Sequence, residues 1–373
     1  MGQVLRDTTK LGGADNFVFS ALRGIQAGRE YYVIMCPLKL IPTIFIFNES
    51  ELPPELRAQR IINKARIPEI TSYLVNNTDD YVFSSLTASI DGRVEFRSIG
   101  KEGNHSKIGE LAIPMSAKFL INDGQHRRAA IQEAMEKKPA LGSETISVVF
   151  YIDRGLKHSQ QMFSDLNKHA IRPTRSLNIL YNNRDNFSQS LISILSAVPI
   201  FNGRTDVEKT SISNRSRKVF TLNSIYLATK ELLGKAQKNP TMTEAEKKLV
   251  IEYWGEVYSN VDEWQKIVSG TISPAEARKE FVHVHGILLH ALGIFGKELL
   301  DKYPGAWKSK LKILKKIDWR RSNVNVWEGR AMLGGRLSKI HMNILLTKNY
   351  LKSKASLKLS PEEHELEKKR RRR

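Results

Sequence analysis

Hydrophobic and polar positions fall into three textures along the chain. Up to about residue 30, glycines at 12, 13, 24 and 28 break up the apolar residues, and the pattern reads as loop. "YYVIMCPLKLIPTIFIF" (31–47) is β-branched and aromatic and reads as one or two strands split at Pro42. "PPELRAQRIINKARIPEITSYLVNN" (53–77) opens on prolines, spaces its apolar residues helically and restarts at Pro68. "YVFSSLTASIDGRVEFRSI" (81–99) alternates on both sides of Asp91-Gly92, the signal of a tight hairpin. "GELAIPMSAKFLIND" reads as a strand ending at Asp123, "GQHRRAAIQEAMEKK" as a helix, "ISVVFYID" as a fully buried strand and "LKHSQQMFSDLNKHA" as a second helix.

From about residue 186 the period turns helical in segment after segment. The expected fold is therefore α+β or α/β: a mixed-sheet domain over 1–185, an α-helical domain over 186–355, and a charged basic tail over 356–373. The tail, "PEEHELEKKRRRR" with the residues before it, reads as solvated and without order of its own, although its terminal basic block could touch phosphates. "FNGRTDVEKTSISNRSRKVF" (201–220) is an arginine-rich loop between helices.

Charge changes the picture more than length does. The 373 residues carry a formal net charge of +20, with 41% hydrophobic residues, so the chain is globular and suited to an anionic partner, nucleic acid ahead of a membrane surface. No apolar run reaches the length of a bilayer span, and the polar opening "MGQVLRDTTK" places the expected site of action in the cytosol. Cys36 is the only cysteine; it excludes an internal disulfide and a cysteine-rich metal site, and reads as a small buried hydrophobe.

The densest chemistry lies in "INDGQHRRAAIQEA" (121–134), at a strand-to-helix joint. Asn122 or Asp123 can cap the helix, Gly124 turns the backbone, and the helix start attracts anions. Gln125, His126 and Arg127 add hydrogen-bond donors and a guanidinium fork; of the pair Arg127 and Arg128, one faces the site and the other points elsewhere. A capped helix with surface arginines satisfies the same pattern. In "FSDLNKHAIRPTRS", Asn167 is a candidate hydrogen-bond donor or metal-water contact and Arg172 a phosphate clamp, beside Arg175. Asn167 as a helix C-cap fits equally well.

Further basic clusters fit phosphate contacts or a solvated surface. Arg57, Arg60 and Lys64 share a helical face, followed by Arg66. Arg204, Arg215, Arg217 and Lys218 form a second group, and Lys315, Lys316, Arg320 and Arg321 belong to a third, with Trp319 or Trp327 able to lie against a base. Trp327 reads as core. His283, His285 and His290 stand without a carboxylate at metal spacing, so a core histidine is the stronger reading and no metal site is assigned. Neither a Walker A loop nor a nucleophile elbow occurs.

"DGQHRRAAIQEA" resembles the DGQHR motif of the ParB/sulfiredoxin-like superfamily. In order with "RAQRIINKARIPEITSYL", "YVFSSLTASIDG", "QQMFSDLNKHAIRPTRSL" and "IDWRRSNVNVWEGRAML" it resembles the DndB family of bacterial DNA phosphorothioation (Dnd) systems. The resemblance implies a ParB-like N-terminal domain with a phosphate pocket at Asp123, Gly124, Gln125, His126 and Arg127. It implies a transcriptional regulator that binds double-stranded DNA beside other Dnd-system proteins, self-association being compatible with it, and not a sulfur-transfer enzyme. Relatives in the superfamily hydrolyse nucleoside triphosphates. The alternative is thus a DNA-stimulated nucleoside triphosphatase using Mg²⁺, with Asp123, His126 or Asn167 as candidate catalytic residues.

Overall fold

The computed structural model describes residues 15–45, 64–152, 161–162, 164–166, 173–237 and 239–371. They belong to two compact units, 1–171 and 172–373. The first is built on a seven-stranded mixed sheet, the second is mostly helical.

The strands of the first unit are β1 (Asn16–Gln26), β2 (Arg29–Pro37), β3 (Leu86–Asp91), β4 (Glu95–Ser98), β5 (Ile108–Pro114), β6 (Lys118–Asp123) and β7 (Thr145–Ile152). They lie in the order β4-β5-β1-β2-β7-β3-β6; only β3 and β7 run parallel. Alternation sorts the side chains: Ile34, Cys36, Leu111, Ile113, Ala88, Ile90, Val148 and Phe150 are buried in one core. Helix α1 (Ile41–Ile44), α2 (Ile67–Asn76) and α3 (Gln125–Lys137) contribute Ile41, Leu74, Ile131 and Ala134 to it. Thr71 of α2 donates to Glu133 of α3 at 3.1 Å. The helix at 125–137 and the strand at 145–152 stand where the pattern puts them, because each rests on a local period.

Long-range pairing overturns several local readings. Asp91-Gly92 does not close a hairpin. β3 pairs with β6 and β7, whereas β4 pairs with β5 at the opposite edge of the sheet. The tight hairpin lies instead at Ala27-Gly28, both at positive φ (51° and 71°), with Gln26 opposite Arg29. The supposed loop before residue 30 thus contains β1, which sits between β5 and β2; Gly24 stands opposite Tyr31, whose ring covers it. Pro42 does not split two strands: it enters the first turn of α1, where its missing N–H costs nothing. Residues 109–123 form two strands, β5 and β6, separated by most of the sheet.

In the second unit α4 (Arg175–Tyr181), α5 (Asn186–Ile194), α6 (Leu222–Leu232), α7 (Glu244–Ser259), α8 (Asp262–Ser269), α9 (Pro274–Glu280), α10 (Gly286–Lys302), α11 (Trp307–Leu311), α12 (Val324–Trp327) and α13 (His341–Lys354) share one core, and α14 (Pro361–Arg371) follows them. The unit begins ahead of the change of texture at 186, because Ile179 of α4 packs into this core. Capping boxes at Thr243 and Ser273 start α7 and α9. All five tryptophans, 254, 264, 307, 319 and 327, are buried here. Residues 361–371 of the tail form the helix α14, held by charge. Glu363 accepts from Lys352 (2.6 Å) and from Lys348, Arg330 pairs with Glu367 at 2.6 Å, and Arg370 donates to the carbonyls of Glu328 and Asn325.

Candidate functional site

The joint between β6 and α3 is built around Gly124, whose φ of 103° places it in the left-handed region. A Cβ there would stand 2.4 Å from Leu86 Cδ2 and 3.0 Å from Arg127 Nη2, so only glycine fits. Gly124 itself is the N-cap residue, and no side chain caps the helix, against the expectation for Asn122 or Asp123. Asn122 is buried and donates to Ser89 Oγ at 2.6 Å. The Asp123 carboxylate reaches over the first turn and accepts from Arg127 Nη2 at 2.8 Å. Both side chains are thus diverted, Asp123 by a local i,i+4 partner and Asn122 by one from a remote strand.

Arg127 and Arg128 diverge as their adjacency on a helix requires. Arg127 Nη1 donates to Ser84 Oγ (2.6 Å) and Nη2 to Ser85 O (3.0 Å), while its buried Nε has no acceptor. Arg128 is structural: its Nε donates to Phe45 O at 2.9 Å and its Nη2 to Pro42 O at 3.3 Å, tying α3 to the end of α1. Burial, and then the charges of Arg66 and Arg127, hold the His126 imidazole below its ordinary pKa. Two guanidinium groups and the first turn of a helix therefore act on one spot. Gln125 turns back instead, its amide donating to Ile121 O at 3.4 Å.

Beside this spot a cleft of about 460 Å³ is lined by Arg66, Glu69, Ile70, Tyr73, Val82, Phe83, Ser84 and Arg127. Tyr73 and Phe83 stack on its wall, ring centroids 6.1 Å apart. Sequence reasoning missed Tyr73, Phe83 and Ser84, since only the fold brings residues 66–84 against 127. A polar end rich in guanidinium next to an aromatic wall can hold a phosphate and an attached planar group. For a Mg²⁺ carried in by such a phosphate, Asp123 and Glu69 are the carboxylates beside the spot; among the described residues no cluster of His, Cys, Asp or Glu could hold a metal ion alone. Arg57, Arg60, Asn167, His169 and Arg172 lie outside the described residues. Lys64 and Arg66 are exposed in a short 3₁₀ turn ahead of α2.

In the second unit the named cations divide by their partners. Arg204 donates to the carbonyls of Asn202 and Val268, and Lys218 to Gly203 O. Arg320 makes two 2.9 Å bonds to Asp318, and Arg321 donates to the carbonyls of Arg278 and Gly335. Arg175, Arg215, Arg217, Lys315 and Lys316 are exposed. Trp319 is not available to a base: it is 3% exposed and stacks on Trp327 at 5.6 Å. His283 is a core side chain, accepting from Trp264 Nε1 at 3.1 Å, and His290 meets Glu231 at 3.4 Å on the surface. His285 bonds to Arg278 O at 3.1 Å, so its Nε2 carries the proton, and burial pushes its pKa down to about 4. Cys36 is fully buried, which pushes its thiol up to about 12, out of the nucleophile range.

The fold and site define a basic protein with an arginine-lined strand-to-helix cleft on a mixed sheet and a helical unit bearing exposed surface cations. The chain belongs to the DndB family of DNA-sulfur modification-associated proteins, whose profile matches residues 19–358. It is thereby placed in the setting of a DNA sulfur modification system. Neither a curated protein nor a solved structure matches it. Among the described residues no helix is long and apolar enough to cross a membrane.

Proposed function

We propose that the protein is a DNA-binding transcriptional regulator of a bacterial DNA phosphorothioation system, acting in the cytoplasm on double-stranded DNA beside other Dnd-system proteins. Its Asp123–Arg127 segment is a phosphate site of the DGQHR, ParB-like kind. The observation that carries this reading is membership of a DNA-sulfur modification family by a chain of net charge +20. Lys64, Arg66, Arg175, Arg215, Arg217, Lys315 and Lys316 are the exposed cations suited to backbone phosphates. The lone, buried cysteine argues against a sulfur relay. Self-association fits a two-fold operator.

The aromatic wall at Tyr73 and Phe83 favours a second reading: the site takes a nucleoside triphosphate with Mg²⁺ and hydrolyses it when DNA is bound. One protein and two assays separate the readings. Duplex affinity is measured against salt, and phosphate release from ATP, GTP and CTP is followed with Mg²⁺, for wild type and Arg127→Ala. Steeply salt-dependent binding without release supports the regulator. Release abolished by Arg127→Ala supports the enzyme, and a wild type that does neither removes both.

A further inference from the structure

Loop 203–219 has almost no regular structure, yet its backbone is tied at many points. Val219 N donates to Arg204 O at 2.7 Å and Lys218 Nζ to Gly203 O at 3.0 Å, closing its base. Ser176 Oγ of α4 donates to Lys209 O at 2.8 Å, and Thr174 Oγ1 to Glu208 O. Inside the loop, Ser216 N donates to Ser213 O and Lys218 N to Ser216 Oγ.

The last tie comes from Arg278 of α9. Arg278 is 4% exposed, yet no carboxylate stands within ion-pair distance of it among the described residues. It spends Nη1 on Lys218 O at 2.6 Å and Nη2 on Ser216 O, while its Nε has no acceptor. Burying an arginine without a counter-charge opposes folding, and an apolar residue of similar size would fill the space more cheaply. What the arginine does is fix two alternate carbonyls of the loop. The segment is thereby pinned at Ser216 and Lys218, which are half-buried, and Arg215 and Arg217 stand exposed, with no acceptor or carboxylate among the described residues.

We propose that Arg215 and Arg217 form a pre-organised pair of contacts to the phosphate backbone of duplex DNA, and that Arg278 is the positioning residue that holds them out. This rests on the DNA-binding reading above. Fixing the loop beforehand removes the ordering cost that two long side chains on a free loop would add on binding. Arg204 and Lys218, equally basic in sequence, are engaged instead with backbone carbonyls, Arg204 with Val268 O outside the loop and Lys218 with Gly203 O at its base.

The test is duplex affinity of the full chain from low to high salt, for wild type, Arg215→Gln/Arg217→Gln, Arg278→Met and Arg278→Lys. Each phosphate contact contributes about 0.9 to the slope of log K against log salt, so the double variant should lower the slope by about 1.8. Arg278→Met should lower it too, with Arg278→Lys recovering part of the loss through one restored donor. General destabilisation reduces the active fraction but leaves the slope of the remainder unchanged, so the slope separates positioning from mere folding. A wild-type slope in the double variant overturns the contact, and a wild-type slope in Arg278→Met overturns the positioning role. A wild type that binds no duplex takes the DNA-binding reading down with both.

Discussion

Replacing Gly124 with alanine tests whether the strand-to-helix joint is as constrained as its geometry implies. Two costs add. At φ 103° an L-residue is strained by about 1–2 kcal/mol. The new methyl would also lie 2.4 Å from Leu86 Cδ2, and Leu86 is fully buried, so relief requires shifting the core at a cost of about 1–3 kcal/mol. The sum, about 2–5 kcal/mol, corresponds to a fall of about 30-fold to about 4,000-fold in an opening equilibrium. Hydrogen exchange of the full chain, read by mass spectrometry on peptides covering 118–137, reports it locally. The tryptophans supply a control: all five belong to the second unit, so their emission should follow the wild-type urea curve if the damage stays in the first. Wild-type protection of β6 and α3 in Gly124→Ala would refute the argument.

Three further outcomes follow from the packing. His285 is depressed to about 4 in the folded chain, against an unfolded value near 6.5; its contribution is complete above 6.5 and is lost as pH falls towards 4, by about 3 kcal/mol. Arg278, Arg321 and His283 oppose its protonation, so tryptophan-monitored urea midpoints should drop over that window, and His285→Gln should flatten the drop. Glu363→Gln removes one of the two carboxylates facing Lys348 and Lys352, both under 10% exposed, and leaves Glu298 as their counter-charge, so it should weaken the seating of α14 by about 1–3 kcal/mol; trypsin should then cut sooner at Lys354 and Lys358, and unchanged cutting would contradict the seating. Arg128→Met should lower stability by about 1–3 kcal/mol through the stranded Phe45 and Pro42 carbonyls while leaving the cleft's anion affinity intact; loss of affinity at wild-type stability would reverse the assignments of Arg127 and Arg128.

Sequence alone determined what depends on neighbours within a turn or a strand. The period of 125–137, the buried run of 145–152, the helical texture after 186 and the strand-to-helix joint at Asp123–Gly124 are all local, and the surplus of cations is a matter of counting. Tertiary structure decided the rest, for two physical reasons. Backbone groups of a strand must find partners wherever the chain supplies them, so β3 and β4 parted company across Asp91-Gly92, and β1 emerged from a glycine-rich stretch once its neighbours covered Gly24. A guanidinium likewise binds the nearest suitable oxygen, and that oxygen comes from a remote segment. Arg127, Arg128, Arg204 and Arg278 carry one chemistry in the sequence. The fold makes the first part of a cleft, the second a strut, the third a loop tie and the fourth a buried anchor.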